Sequence, residues 1–236
     1  MTWIDRALLF SPLDYVAVTC LIAGWLWIGW RIENPAPNKP SVSALMDEFR
    51  HDWMTQMITR QPRVFDAQLV GNMRQSTTFF ASTSMIAIGG GLALFGNTER
   101  LAGVAEDLAI GSAPAMVWEI KILIVILLLS NAFLKFVWSH RLFGYCAVLM
   151  AAVPNDPEDP HCAPRASQSA EISITAARSF NKALRTIYFA LASTAWMLGP
   201  VPLLLATAVT LAILYRREFA SHSRRVLLKL PPNTES

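Results

Sequence analysis

The chain has 236 residues, of which 53% are hydrophobic and 16% charged, with a formal net charge of +3. Soluble domains carry about 25% charged residues, so this balance, with a mean hydropathy of +0.37, excludes an ordinary soluble domain and places the chain in the membrane class. Cys20, Cys146 and Cys162 are far apart and form no CxxC or Cys/His cluster, so neither a disulfide framework nor a zinc site is expected.

The first apolar block is Leu13–Trp30. Its flank has a single Arg6 beside Asp5, the run has no A-x-A cleavage site, and Cys20 follows Thr19 rather than a lipobox. It reads as a retained transmembrane helix. After it, Ser43–Arg60 repeats apolar residues at Leu45, Met46, Phe49, Trp53 and Met57, a helical spacing for an amphipathic helix on the inner membrane surface or on partner helices. Asp47, His51 and Asp52 on it invite a metal reading. No second histidine or convergent carboxylate accompanies them, so a solvated polar face is expected. Pro62 opens a further helix, Arg63–Arg74, leading into the second block.

That block is Thr77–Gly96. Thr83, Ala87 and Gly91 recur at every fourth residue, a ridge of small side chains that lets two helices approach closely. The run Gly89-Gly90-Gly91 has a second reading as an unwound, substrate-lining segment. A short outer loop, Asn97–Ala115, carries Glu99, Glu106 and Asp107. The third block is Val117–Trp138, extending to Met150. Polar groups at membrane depth are functional candidates by default, and Glu119, Asn131 and Lys135 are the candidates here. Each also has a structural reading: Glu119 as an interfacial carboxylate beside Lys121 and Trp118, Asn131 as a hydrogen bond between helices, Lys135 as a lysine snorkelling from the inner end. Asn131 and Lys135 share a face, whereas Glu119 lies about 120° from Asn131 around the helix.

Val153–Pro164 is a proline-rich, acidic break, and Ser167–Lys182 reads as a helix leading into the fourth block, Leu184–Tyr215. Gly199, Pro200 and Pro202 interrupt that block, and a turn is expected there. It makes one kinked crossing or two short ones, 184–198 and 202–216. The positive-inside rule arbitrates. Five crossings put 17 of the 20 Lys and Arg residues on the cytoplasmic side and 3 outside; four crossings give 12 and 8. The first segment is short, so extension back through Arg178–Ala183 is expected, with Arg185 snorkelling to the headgroups.

The expected fold is therefore an all-α polytopic transmembrane bundle of four or five crossings (about 13–30, 77–96, 117–138, 184–198 and 202–216). It forms one membrane domain over 1–236, with cytoplasmic helical segments at 43–75 and 139–183. Five crossings place the N-terminus in the periplasm and the C-terminus in the cytoplasm of a bacterial inner membrane. The basic tail from Arg216 to Lys229 is explained by topology and anionic lipid, without nucleic acid. No P-loop, G-x-S-x-G, H-E-x-x-H or dinucleotide fingerprint is present, and no cofactor is expected.

Four strings, Arg60-x-x-Arg63-x-x-Asp66, Thr78-Phe79-Phe80-Ala81-Ser82-Thr83-Ser84, Trp138-Ser139-x-Arg141 and Leu214-Tyr215-Arg216-Arg217-Glu218-Phe219, occur in that order. Together they resemble an uncharacterised bacterial and plant membrane family, domain of unknown function 599, over most of the chain from about Trp25 to Ser221. The resemblance implies a multi-pass membrane protein and carries over no catalytic residue. The expected role is a non-enzymatic scaffold or accessory subunit, partnered through its transmembrane helices by another protein or a second copy. A small transporter or channel is the alternative.

Overall fold

The computed structural model describes residues 9–98, 103 and 114–229. The outer-loop carboxylates Glu99, Glu106 and Asp107, with Arg6 and Arg100, lie outside them. The described residues form helices joined by short connections, in the order α1 (Pro12–Glu33), α2 (Val42–Thr59), α3 (Val64–Phe95), α4 (Ala115–Ala151), α5 (Cys162–Thr194), a 3₁₀ turn (Ala195–Leu198), α6 (Pro200–Phe219) and α7 (His222–Leu227). Three of them, α1, α3 and α4, are long and apolar enough to cross a membrane.

Helix α1 starts where its sequence says it should. Ser11 accepts from the Asp14 backbone N–H, and Asp14 returns a bond from the Ser11 N–H at 3.0 Å, a capping box that satisfies two orphan donors. Pro12 follows in the first turn. The helix buries Ala17, Leu21, Ile28 and Ile32, one stripe, against α6 and the upper part of α5. A loop then brings the chain to Ser41, whose hydroxyl donates to Ile32 O at 2.9 Å and caps α2.

Helix α2 lies across α5. Its buried residues are Leu45, Met54 and Met57, while Met46 and Phe49 remain 38% and 45% exposed. The apolar face expected from spacing is thus split: one edge meets α5 and the other edge is left open. Helix α3 has 32 residues and α4 has 37, about 48 and 55 Å at 1.5 Å per residue. Both overrun a hydrocarbon core of roughly 30 Å.

Helix α5 is the centre of the molecule, and it is the least apolar of the long helices. It can be so because neighbours cover it. Ala166, Ser169, Ala170, Ser173, Ala176 and Ala177 are buried along it, small side chains that bring α4 close. Two hydroxyls close the seam: Ser139 donates to Ala176 O at 2.8 Å and Ser179 to Lys135 O at 3.0 Å. Helix α5 begins at Cys162, within the stretch expected to be an extended break, because Pro164 falls in the first turn, where a missing N–H costs nothing.

The expected turn at Gly199, Pro200 and Pro202 is present. Gly199 has φ 123° and ψ 175°, a region open essentially to glycine alone. Pro200 then opens α6 directly, so both prolines sit in the first turn instead of delaying the helix to Pro202. Helix α6 returns beside α5, where Arg217 donates to the Tyr188 hydroxyl at 2.6 Å. It also packs along α1, where a Cβ on Gly24 would stand 3.1 Å from Leu211.

Helix α3 sits at the edge and packs chiefly on α4. A Cβ on Gly91 would meet Ile126 Cγ1 at 2.9 Å, whereas one on Gly89 or Gly90 meets nothing within 4 Å. Gly91→Ala is therefore expected to lower stability by about 1–3 kcal/mol through overpacking. Gly90→Ala should be neutral or gain up to about 1 kcal/mol from the lower chain entropy of alanine. Thermal unfolding of the two variants in the same detergent checks the contrast; equal effects would remove the α3–α4 close approach as its cause.

Candidate functional site

Near the C-terminal end of α1, polar side chains of α1, α4 and α5 form one cluster. Glu33 is the last residue of α1, and its two carboxylate oxygens are divided between two cations of α5. Arg185 Nη2 donates to Oε1 at 2.6 Å and Lys182 Nζ to Oε2 at 2.8 Å. Lys182 and Arg185 are three residues apart, so a single helical face presents both. The Arg185 side chain is only 7% exposed. Arg185 is expected from the sequence to snorkel; its guanidinium is instead buried against the Glu33 carboxylate.

Lys135, one of the expected candidates, stands beside this pair. Its ammonium lies 5.2 Å from the Trp25 ring centroid, a cation–π contact. The Trp25 indole N–H donates to Thr186 Oγ1 at 3.2 Å. Asn131, one turn up the same face of α4, has a buried Oδ1 without a hydrogen-bond partner. On the other flank, Glu218 of α6 accepts from the Ser43 N–H at 3.0 Å and from its hydroxyl at 3.1 Å. Asp47 accepts from Arg178 at 2.7 Å. Between these groups is a cavity of about 20 Å³ lined by Glu33, Ser43, Asp47, Arg178, Asn181 and Arg185, room for a single water.

Glu119 is far from this cluster, at the opposite end of α4. It faces a groove of about 470 Å³ with Phe10, Asp14, Tyr15, Met116 and Trp196, and accepts a long 3.4 Å bond from Thr98. Asp14 in that groove accepts from the Trp196 indole at 2.7 Å, and Lys121 lies over Trp118 and Trp196 at 5.1 and 5.7 Å. Among the expected sites, Asn131 and Lys135 are therefore brought together and Glu119 is kept apart. Thr83 and Ala87 are exposed, while a Cβ on Gly91 would meet Ile126 of α4. Asp47 and His51 separate, His51 lying 3.3 Å from Glu171.

Glu33, Lys182 and Glu218 were not singled out by sequence reasoning. One signal was available: Lys182 and Arg185 repeat at helical spacing just where an apolar run begins, and Glu33 ends another. What this arrangement does chemically is hold helices. Glu33, Asp47 and Glu218 are each bonded by a second element of the fold, and Lys135 stands over the Trp25 ring.

Three of the four strings that carry the resemblance are also fasteners. Asp66 is fully buried; it accepts from the Trp53 indole at 2.8 Å and pairs with Arg60. Arg63 donates to Val153 O and Pro154 O, each at 2.6 Å, tying the α2–α3 corner to the α4–α5 loop. Ser139 bonds α5, and Lys39 donates to the Tyr215 hydroxyl at 3.0 Å. A family described as a protein of unknown function, DUF599, matches residues 16–223. The chain belongs to that family. All four strings lie inside the DUF599 match. No curated protein and no solved structure matches the chain.

Proposed function

We propose that this DUF599 protein is an integral inner-membrane protein with five crossings that acts as a non-enzymatic scaffold or accessory subunit. The observation that carries the reading is the use of its polar residues. The charges of the inner end are spent on Glu33, Asp47, Asp66 and Glu218, which join helices to one another. Between the outer groove and the inner end, α4 buries Ile126, Leu128, Ala132, Phe136 and Ser139, so its centre is packed rather than hollow.

The five-crossing topology is supported by how α5 and α6 are tied to α1. Asp14, at the outer end of α1, binds Trp196; Glu33, at its inner end, binds Lys182 and Arg185. A segment anchored at both ends of a crossing helix spans the same depth. Helix α6, with 20 residues and a length of about 30 Å, runs beside α1 and matches the hydrocarbon core. The positive-inside count then puts α2, the ends of α3, α4 and α5, and the tail in the cytoplasm.

A cysteine in place of exposed Gln56 should react with an impermeant maleimide only after the inner face is opened. A cysteine in place of exposed Asn97 should react from the outside. Reversed labelling would overturn the orientation. For the role itself, gentle extraction from native membranes is expected to bring down a stoichiometric protein partner or a second copy. A chain that purifies alone and monomeric counts against the scaffold.

The groove at Glu119 favours the second reading, a small transporter or channel. In that case flux into liposomes would fall with Asn131→Leu or Lys135→Ala; flux that survives both would take these residues out of any transport path.

A further inference from the structure

We propose that the cleft between α3 and α5 is a binding site for an anionic phospholipid, whose phosphate rests on Arg50. The inference rests on the proposed topology for the leaflet it names, the cytoplasmic one, but not for the chemistry. Helices α3 and α5 both pack on α4 and diverge from each other, leaving a cleft of about 320 Å³ lined by Arg50, Ser76, Phe80, Phe143, Ala177 and Phe180. No carboxylate lines it.

Arg50 is the cation of this cleft, and it is incompletely satisfied. Its Nη1 donates to Ser173 Oγ at 3.0 Å, but its Nε is buried without a partner. A buried guanidinium N–H without an acceptor costs free energy that an incoming phosphate oxygen would recover. Asp47, about one turn back on its own helix, is engaged by Arg178 at 2.7 Å. Burial pulls the Arg50 pKa below the ordinary guanidinium value, with Asp47 opposing the shift, yet the group stays charged as arginines do. The polar end of the cleft thus holds a net positive charge.

The other end is aromatic. Phe80 and Phe180 line it with ring centroids 5.7 Å apart, backed by the fully buried Phe136 at 5.5 Å from each. Ser76 lies one residue before the start of the expected α3 crossing, so Arg50 sits at headgroup depth and the phenylalanines lie toward the hydrocarbon. Cation below and aromatic wall above is the order of groups in a phospholipid. A soluble phosphate would use the first and leave the second idle.

The test is native mass spectrometry of the full chain in neutral detergent, titrated with phosphatidylglycerol or phosphatidylcholine of identical chains. Wild type is expected to hold the anionic lipid about tenfold more tightly, a difference of about 1.4 kcal/mol. Arg50→Gln should abolish the preference and Arg50→Lys should retain part of it. Ser76→Phe, which fills the cleft and keeps the charge, should lower phosphatidylglycerol binding about as much as Arg50→Gln and stays informative if that variant fails to fold. Arg74→Gln, outside the cleft, should leave the preference intact. Equal binding of the two lipids by wild type, an unchanged preference in both Arg50→Gln and Ser76→Phe, or displacement of bound lipid by glycerol 3-phosphate would each overturn the site. Labelling of the Gln56 cysteine from outside would instead overturn the topology, while a preference measured in detergent would still support the cleft.

Discussion

Asp66→Ala is expected to lower the thermal unfolding midpoint in detergent by about 6–12 °C, the equivalent of about 3 kcal/mol for a chain of this length. The carboxylate is fully buried and receives both the Trp53 indole and Arg60. Removing it strands a buried N–H and leaves a cavity under the α2–α3 corner. Arg60, whose side chain is 36% exposed, can turn to water, so its share of the loss is small. Asp66→Asn should cost less, because the amide oxygen still accepts from Trp53. Differential scanning fluorimetry of the three proteins checks the order. A midpoint for Asp66→Ala within 2 °C of wild type, against the several degrees expected, would show that the corner is held by other contacts.

A loss of comparable size is expected for Glu33→Ala. The two cations it holds are unequal: Lys182 is 42% exposed and Arg185 only 7%. Lysine can reach solvent; arginine cannot. Breaking a buried pair by removing one partner costs about 3–5 kcal/mol, and Lys135 close by adds repulsion. The decisive comparison is Glu33→Gln with Arg185→Gln. Glu33→Gln leaves buried Arg185 without its carboxylate, while Arg185→Gln leaves Glu33 with Lys182 alone, so the double variant should be more stable than the two losses added together by about 1–3 kcal/mol. Strict additivity would mean that Glu33 and Arg185 do not stabilise the bundle as a pair. Because both residues are kept in the fold by desolvated charge, high salt should do little to rescue either single variant.

Much of this architecture was legible from the residues. The apolar blocks at α1, α3 and α4 announce themselves by length, and Gly199-Pro200 marks a reversal that no helix continues through. What was illegible depends on long-range partners. Arg185 follows an ordinary pattern for a snorkelling residue, and nothing near it in sequence says that Glu33, on a helix far earlier in the chain, will be beside it. The same holds for α2, where spacing predicts one apolar face but only the position of α5 decides which edge is covered. Of the ridge Thr83, Ala87 and Gly91, the last member meets α4; steps of four residues drift by 40° around a helix, and Thr83 and Ala87 are left on the open face of α3. Asn131 and Lys135 were found because they are costly at membrane depth; Asp66 was visible only as part of a string, since a carboxylate beside two arginines outside the apolar blocks carries no such penalty.

The polar character of α5 bears on how the protein is made. A translocon sorts segments into lipid by apolarity, and an arginine near the middle of a segment costs about 2.5–3.5 kcal/mol on that scale. Lys182 and Arg185 open the fourth apolar block, and the stretch from Leu184 to Leu198 that follows before the Gly199 turn is short for a crossing. In the five-crossing topology proposed above, its entry into the bilayer would depend on α1 already standing there with Glu33 at the inner surface, and on α6 following as the second arm of a hairpin. Biogenesis in that topology is cooperative and ordered: the early helices are self-sufficient, and the last two enter as a pair into a berth prepared for them. A ribosome halted after Thr194 would be expected to hold α5 outside the bilayer, where a full-length chain holds it at the centre of the bundle.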